Sequence, residues 1–221
     1  MKNVTEEVSN PFGMRPPCPH RCVGESERRA VFGYGDANAD FHVIGNHSAV
    51  HGGAASGVPF TGDPAGERVL DVLEATGFLL AREAAELTYE NCFTSYRYLC
   101  CVPPGTAPDR EQLRDFERFF DAELRAVAAD VLVPVGEAAI RHVIESYTAQ
   151  EHRLRTQMAD LHGTEVRGRG FMVLPIQDPR EWGADGFDTI VTAIEELLAM
   201  DYHQEVDLGR FIADADPYYV R

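Results

Sequence analysis

Residues 41–62, FHVIGNHSAVHGGAASGVPFTG, constrain the fold more than any other stretch of the chain. Phe41 to Ile44 carry aromatic and β-branched character, and Gly45 ends the run where a tight turn needs no Cβ. Gly52, Gly53, Gly57 and Gly62 then leave the backbone bare, so that its N–H groups can approach an anion or a flat ring closely. Glycine content alone also fits a flexible surface loop. The order of the elements that follow favours a strand that delivers a loop to a site.

After the loop, Asp63 reads as a helix cap with Pro64 at the first helical position. Val69, Leu70, Val72 and Leu73 give that helix an apolar face, and Gly77 stops it. A second strand is expected over 91–95, ahead of the break at Pro103-Pro104-Gly105. Leu113, Phe116, Phe120, Leu124 and Val127 then recur at helical spacing over about 109–127. A buried strand follows at 130–135, ending on Gly136, with a helix through Ile140, Val143 and Ile144. A fourth strand runs over 171–176 into Gln177-Asp178-Pro179, and Ile190, Ile194 and Leu197 mark the last helix. Strands alternating with helices predict an α/β fold, three layers deep, around a mostly parallel four-stranded sheet. Ligands on such sheets sit at the carboxyl ends of strands, so the loops after Ile44, Ser95, Val135 and Ile176 are expected to meet at one crevice.

These segments resemble the uracil-DNA glycosylase superfamily, most of all its thermostable iron–sulfur (family 4) branch, over residues 18–200. Gly45-Asn46-His47-Ser48-Ala49 is similar to that branch's first loop, and Gly57-Val58-Pro59-Phe60-Thr61-Gly62 to its GxPFxG segment. Cys100-Cys101-Val102-Pro103-Pro104, Val135-Gly136-Glu137-Ala138-Ala139 and Asp178-Pro179-Arg180 match three further segments in order, with His162-Gly163 ahead of the last strand. The resemblance implies a protein that hydrolyses the N-glycosidic bond of a deaminated or damaged base in DNA. Such chemistry extrudes the base, stacks a flat side chain on it and reads its edge. It also positions a water and stabilises charge on the departing base.

The resemblance assigns base stacking to Phe60. Its water-handling loop holds Asn46 and His47 here, and its second-loop His aligns with Asp178. The two residue types stand in exchanged places, which points to a swapped dyad in which His47 orients water and Asp178 orients His47 or balances a cationic sugar. The alternative is that both motifs have decayed and merely line a polar cleft. The base-reading amide aligns with Arg97, which has donors only. Ser48, Arg167, Arg169 and Arg180 are the expected DNA contacts, with Arg153 and Arg155 close in sequence. A [4Fe–4S] cluster is also implied, with Cys18, Cys22 and Cys101 at three ligand positions and Phe116 at the fourth. Packed or free thiols, or a Cys18–Cys22 disulfide, are the other readings of these residues.

Twenty basic residues against thirty-six acidic give a formal charge of −16, and Lys2 is the only lysine. This balance resembles adaptation to a salty cytoplasm, where a Debye length of about 3 Å at molar salt leaves net charge little reach. DNA binding would then rest on stacking, backbone N–H groups and local arginines. No apolar run approaches the roughly 20 residues of a membrane span, and no leader peptide is recognisable. The expectation is a cytoplasmic monomer with an arm at 1–17, one domain at 18–200 and an acidic extension at 201–221 whose Leu208, Phe211, Tyr218 and Tyr219 could pack back. A catalytically silent module of the same fold, binding nucleic acid or a repair partner, is the second functional class. A crevice for a free nucleotide-like ligand is the third.

Overall fold

The computed structural model describes residues 12–22, 28–83, 86–103, 105–155, 157–168, 170–203, 212–213 and 216–217. By compactness the chain divides into two units, Met1–Ala128 and Ala129–Arg221. Both are α/β, each with one parallel strand pair at its centre.

In the first unit the elements run β1 (Tyr34–Gly35), β2 (Phe41–Gly45), α1 (Ser48–His51), α2 (Pro64–Ala75), β3 (Leu79–Glu83), β4 (Glu86–Tyr89), β5 (Cys92–Tyr96) and α3 (Arg110–Val127). β2 lies parallel to β5, with Phe41 opposite Cys92 and Gly45 opposite Tyr96. Every residue of both strands is buried, which is why they read as continuous runs rather than alternating ones. β1 pairs antiparallel with β5, and β3 with β4. The cap read from the sequence is in place, and a second one joins it. Asp63 accepts a hydrogen bond from Ala65 N at 2.9 Å at the head of α2, and Asp109 and Gln112 form a reciprocal capping box on α3. Of residues 1–17, read as an arm, Met14 is buried among Ala30, Tyr98, Leu99, Val102 and Phe116, with Phe12 packed against them. Residues 1–11 lie outside the described residues.

The second unit contains β6 (Val131–Pro134), α4 (Glu137–Tyr147), α5 (Met158–Leu161), β7 (Val166–Arg167), β8 (Met172–Val173), α6 (Gly186–Ala199) and the pair β9 (Ile212–Ala213) and β10 (Asp216–Pro217). β6 and β8 are parallel, and β7 runs antiparallel to β8. The strand expected over 171–176 is formally short because Pro175 has no N–H to give the ladder. Its neighbours continue the pairing, with Leu174 N donating to Leu132 O at 2.9 Å and Ile176 N to Pro134 O at 2.8 Å. The edge strands β1 and β7 and the β3–β4 hairpin come in addition to the four strands expected. Of the 201–221 extension, Tyr202 is buried and His203 Nδ1 lies 2.7 Å from the Asp130 carboxylate. Leu208, Phe211, Tyr218 and Tyr219 lie outside the described residues. No helix among the described residues is long and apolar enough to cross a membrane.

Among the described residues, one carboxylic acid sits inside the first unit. Glu123, on the inner face of α3, is 2% exposed and accepts from Gly33 N at 3.3 Å. Burial pushes its pKa up to about 7, against weaker opposing hydrogen bonds from Ser95 and Gly33. Ser95 Oγ also lies 2.8 Å from Nε2 of buried His42, whose pKa burial pulls down to about 3. The acid is therefore protonated below neutrality and the imidazole beside it is neutral.

Because the folded pKa of Glu123 lies above its ordinary value, its contribution to stability is full below about pH 4.5 and is lost as pH rises through about 7. The shift corresponds to roughly 3 kcal/mol by alkaline pH. Glu123→Gln should flatten that loss, and urea unfolding from pH 5 to 9 checks it. Parallel pH profiles for the two proteins would refute the assignment.

Candidate active site

The glycine-rich loop is pinned by one phenol. Tyr96, the last residue of β5, accepts a hydrogen bond from Phe60 N at 2.7 Å and donates one to Gly52 O at 3.0 Å. Gly53 N closes the loop further by donating to Thr61 O at 2.6 Å. Two more bonds tie the exit of β2 to that of β5, Arg97 N to Gly45 O and Tyr98 N to Asn46 O, each 2.9 Å. Glycine is required beneath these contacts. A Cβ on Gly45 would stand 2.7 Å from the Tyr96 ring, and one on Gly66 would run into the carbonyl oxygens of His51 and Phe60.

Phe60 is held with φ at +67°, a left-handed conformation that costs a residue with a Cβ about 1 kcal/mol or more. The Tyr96 clamp sustains it. The Phe60 ring, expected to stack on a base, is fully buried, with its centroid 5.6 Å from the His51 ring and 5.4 Å from that of Tyr96. His51, which the sequence reading passes over, lies nearly parallel to the Tyr96 ring at 24°. Its place follows from α1, which carries it one turn beyond His47.

Polar groups without partners gather where the strands end. His47 is 1% exposed, and neither ring nitrogen has a hydrogen-bond partner among the described residues. Burial pulls its pKa down to about 4, so at neutral pH the ring offers one N–H donor and one bare acceptor. Asn46 Oδ1 and the Tyr98 hydroxyl are likewise buried and unpartnered, on the two segments joined by the Tyr98–Asn46 backbone bond. Each such group costs about 1–3 kcal/mol when left unpaired. A cluster of them marks a place prepared for something polar. Arg97 stands half-buried between them in sequence. Ser48, expected at the DNA, is 5% exposed and turns its hydroxyl to Cys101 Sγ at 3.9 Å.

The second unit orders its own loop after β8. Asp178 accepts from Arg180 N at 3.0 Å, and its other oxygen lies 3.6 Å from the Arg180 guanidinium, so the carboxylate caps the turn over Pro179–Glu181. His162 holds the same loop, accepting from Gln177 N at 3.1 Å on Nδ1 and facing Gly186 O at 2.8 Å with Nε2. Those partners fix the neutral Nε2–H tautomer, and burial lowers its pKa. Trp182 Nε1 adds a bond to Gln177 O at 2.8 Å. Arg167 and Arg153 are exposed; Arg169 lies outside the described residues, as does the side chain of Arg155.

The cysteines depart from the sequence expectation. Cys18 is paired with Cys100 and Cys22 with Cys101 as disulfides, so the Cys18–Cys22 bridge considered from their spacing is ruled out here. Phe116 packs edge-on against Tyr98 at 5.2 Å and beside Phe119 at 5.8 Å. Cys92 is a buried free thiol at the start of β5, its pKa raised by burial.

The parallel-strand exit of an α/β unit thus carries a buried, unpartnered imidazole and an unpartnered amide oxygen, followed along the chain by a clamped aromatic. The chain belongs to the uracil DNA glycosylase superfamily, whose family model matches residues 32–197. It is similar to the type-5 uracil-DNA glycosylase of Pyrobaculum aerophilum, 27% identical over 175 residues that cover 77% of this chain and 74% of that protein. It is also similar to the type-5 uracil-DNA glycosylases of Thermus thermophilus, 29% identical over 54% of this chain and 56% of the relative, and Mycobacterium leprae, 28% identical over 45% of each. These relatives carry the type-5 name, where the sequence reading had expected the family 4 branch.

Tyr96→Phe removes both clamp bonds and strands Phe60 N and Gly52 O. A loss of ~2 kcal/mol in urea unfolding is expected. Unchanged stability would show that the loop holds without the phenol.

Proposed function

We propose that this chain is a DNA-repair glycosylase that hydrolyses the bond between deoxyribose and a deaminated or damaged base. The observation that carries the reading is the buried His47 imidazole, neutral and unpartnered, at the end of β2 inside the family-matched region. The type-5 names of the relatives support uracil as the first base to test.

In this reaction a water oxygen bonds to C1′ of the sugar while the C1′–N bond breaks, its electron pair leaving with the base. The bare nitrogen of His47 accepts a hydrogen bond from the attacking water and so orients its lone pair towards C1′. Asn46 presents an amide to the base edge, and Phe60 supplies the aromatic surface next to it. Arg97, a donor only, serves a base oxygen or a phosphate. With the chain at −16, strand contacts fall to individual arginines such as Arg167 and Arg180 rather than to a general basic field.

Base release from uracil-, hypoxanthine- and xanthine-containing oligonucleotides, single-stranded and duplex, at molar KCl tests the reading. His47→Ala should lower kcat about 10²–10⁴-fold, and Phe60→Ala should act mainly on KM. Asp178→Asn is the companion variant: loss of release with it assigns the carboxylate to the reaction, and full release confines it to capping. Oligonucleotide binding without release from any of the three bases would make the chain a non-catalytic module instead.

The pH profile gives an independent check. Protonation below about pH 4 removes the acceptor on His47, so kcat should fall only towards that value and show no inflection near 6.5. An acid limb centred at 6.5 that disappears in His47→Ala would contradict the buried, neutral state.

A further inference from the structure

Stacking a base on Phe60 needs an open face of its ring, yet Phe60 is fully buried. We propose that in the free protein the His51 imidazole occupies the place of the extruded base and has to turn aside before a base can enter. This rests on the base-release reading above and adds to that same site a gate carried by the chain itself.

The rings of Tyr96 and His51 both lie against Phe60. Tyr96 is tilted 54° from it at a centroid distance of 5.4 Å, and His51 31° at 5.6 Å. His51 is thus the ring closer to face-to-face contact, the arrangement in which a flat base meets an aromatic side chain. Its imidazole is itself a flat nitrogen heterocycle, smaller than a pyrimidine, and it is almost fully enclosed. Its position is that of a ligand. A Cβ on Gly45 would stand 3.0 Å from His51 Nδ1, so the imidazole lies against bare backbone at the carboxyl end of β2. Ligands of parallel sheets sit at such strand ends. Asn46 and His47, which the reading above gives to the base edge and the water, follow Gly45 directly.

Of the two rings, His51 is the one that can yield without dismantling the loop. Tyr96 is fastened by its bonds to Phe60 N and Gly52 O. The His51 backbone is fixed as well: its N–H donates to His47 O at 3.3 Å, and its carbonyl oxygen packs where a Cβ on Gly66 would collide with it. The motion left to it is rotation of the side chain from one staggered well to another. Gly52 and Gly53 follow at φ of +87° and +86°, and they put no side chain in the way of that turn.

The closed rotamer competes with the base for one ring. Apparent affinity falls with the fraction of molecules that stand open. An aromatic contact of ordinary strength makes that factor about 2–10-fold. His51→Ala should therefore lower KM by about this factor, and His51→Phe, a larger ring without polar atoms, should raise it. A side chain that only supported Phe60 would give the opposite sign for alanine, and a raised KM in His51→Ala overturns the gate.

The direct test needs no variant to fold. It follows the His51 ring protons of the full wild-type chain by NMR while a single-stranded oligonucleotide is added. The strand carries one 2′-fluorinated deoxyuridine or deoxyinosine, nucleotides that resist release. In the free protein the Phe60 and Tyr96 rings displace these signals from those of an exposed histidine, and saturation with the strand should return them. Signals still displaced at saturation, with base release from ordinary substrates intact, overturn the gate alone. Signals returned without any base release support the gate and overturn the enzymatic reading. No binding of either strand overturns both.

Discussion

The hydroxyl of Tyr96 is the contact on which the geometry of the first unit depends. The parallel register sets Gly45 beside Tyr96, and the absence of a side chain on Gly45 leaves room for the ring. From there one oxygen reaches both ends of the glycine-rich loop, accepting a hydrogen bond from Phe60 N and donating one to Gly52 O. Burial raises the phenol's pKa well above its ordinary value, so it keeps both its donor and its acceptor. A left-handed Phe60 and a closed Gly52–Thr61 stretch follow from that oxygen rather than from any propensity of the loop.

Burial also decides which ionisable groups carry charge. His42, His47, His162 and Glu123 are all driven towards their neutral forms, in a chain whose exposed surface is strongly acidic. What separates them is satisfaction. His162 is held from both sides, Glu123 is bonded to Gly33, and His42 meets Ser95 through Nε2 with only its Nδ1 unpartnered, whereas His47 has nothing on either nitrogen among the described residues. A neutral, unsatisfied imidazole is poised to meet a ligand; the others are fixed parts of the fold.

Local signals in the sequence proved sufficient where the physics is local. Asp63-Pro64 places the start of α2 because capping needs only neighbouring residues, and Asp109 with Gln112, passed over in the sequence reading, caps α3 by the same local rule. Three of the four central strands were legible as apolar runs with a glycine beside them, and the one over 91–95 by its place ahead of the Pro103-Pro104-Gly105 break. β1 and β7 were not, since two residues carry no period. Glu123 falls on the inner face of a helix whose apolar positions surround it, and only its partners Gly33 and Ser95, far off in sequence, explain it. The cysteines show the same limit. A spacing of four hints at a local pair, but it is the pairing of the Ala30 segment with Cys100 that selects the partners. His162 carried a weak signal, a histidine next to glycine ahead of a strand, and its role in ordering the Asp178 turn is visible only in three dimensions.

The Cys18–Cys100 disulfide turns the intervening chain into a ring. β1, β2, the whole glycine-rich loop, α2 and β3–β5 lie inside it. A backbone cut anywhere within that ring, the exposed stretch near Ala55 and Ser56 included, opens a loop without releasing a fragment. The nicked molecule stays a single covalent body, and both banks of the cut remain tied to the strand ends that carry His47 and Tyr96.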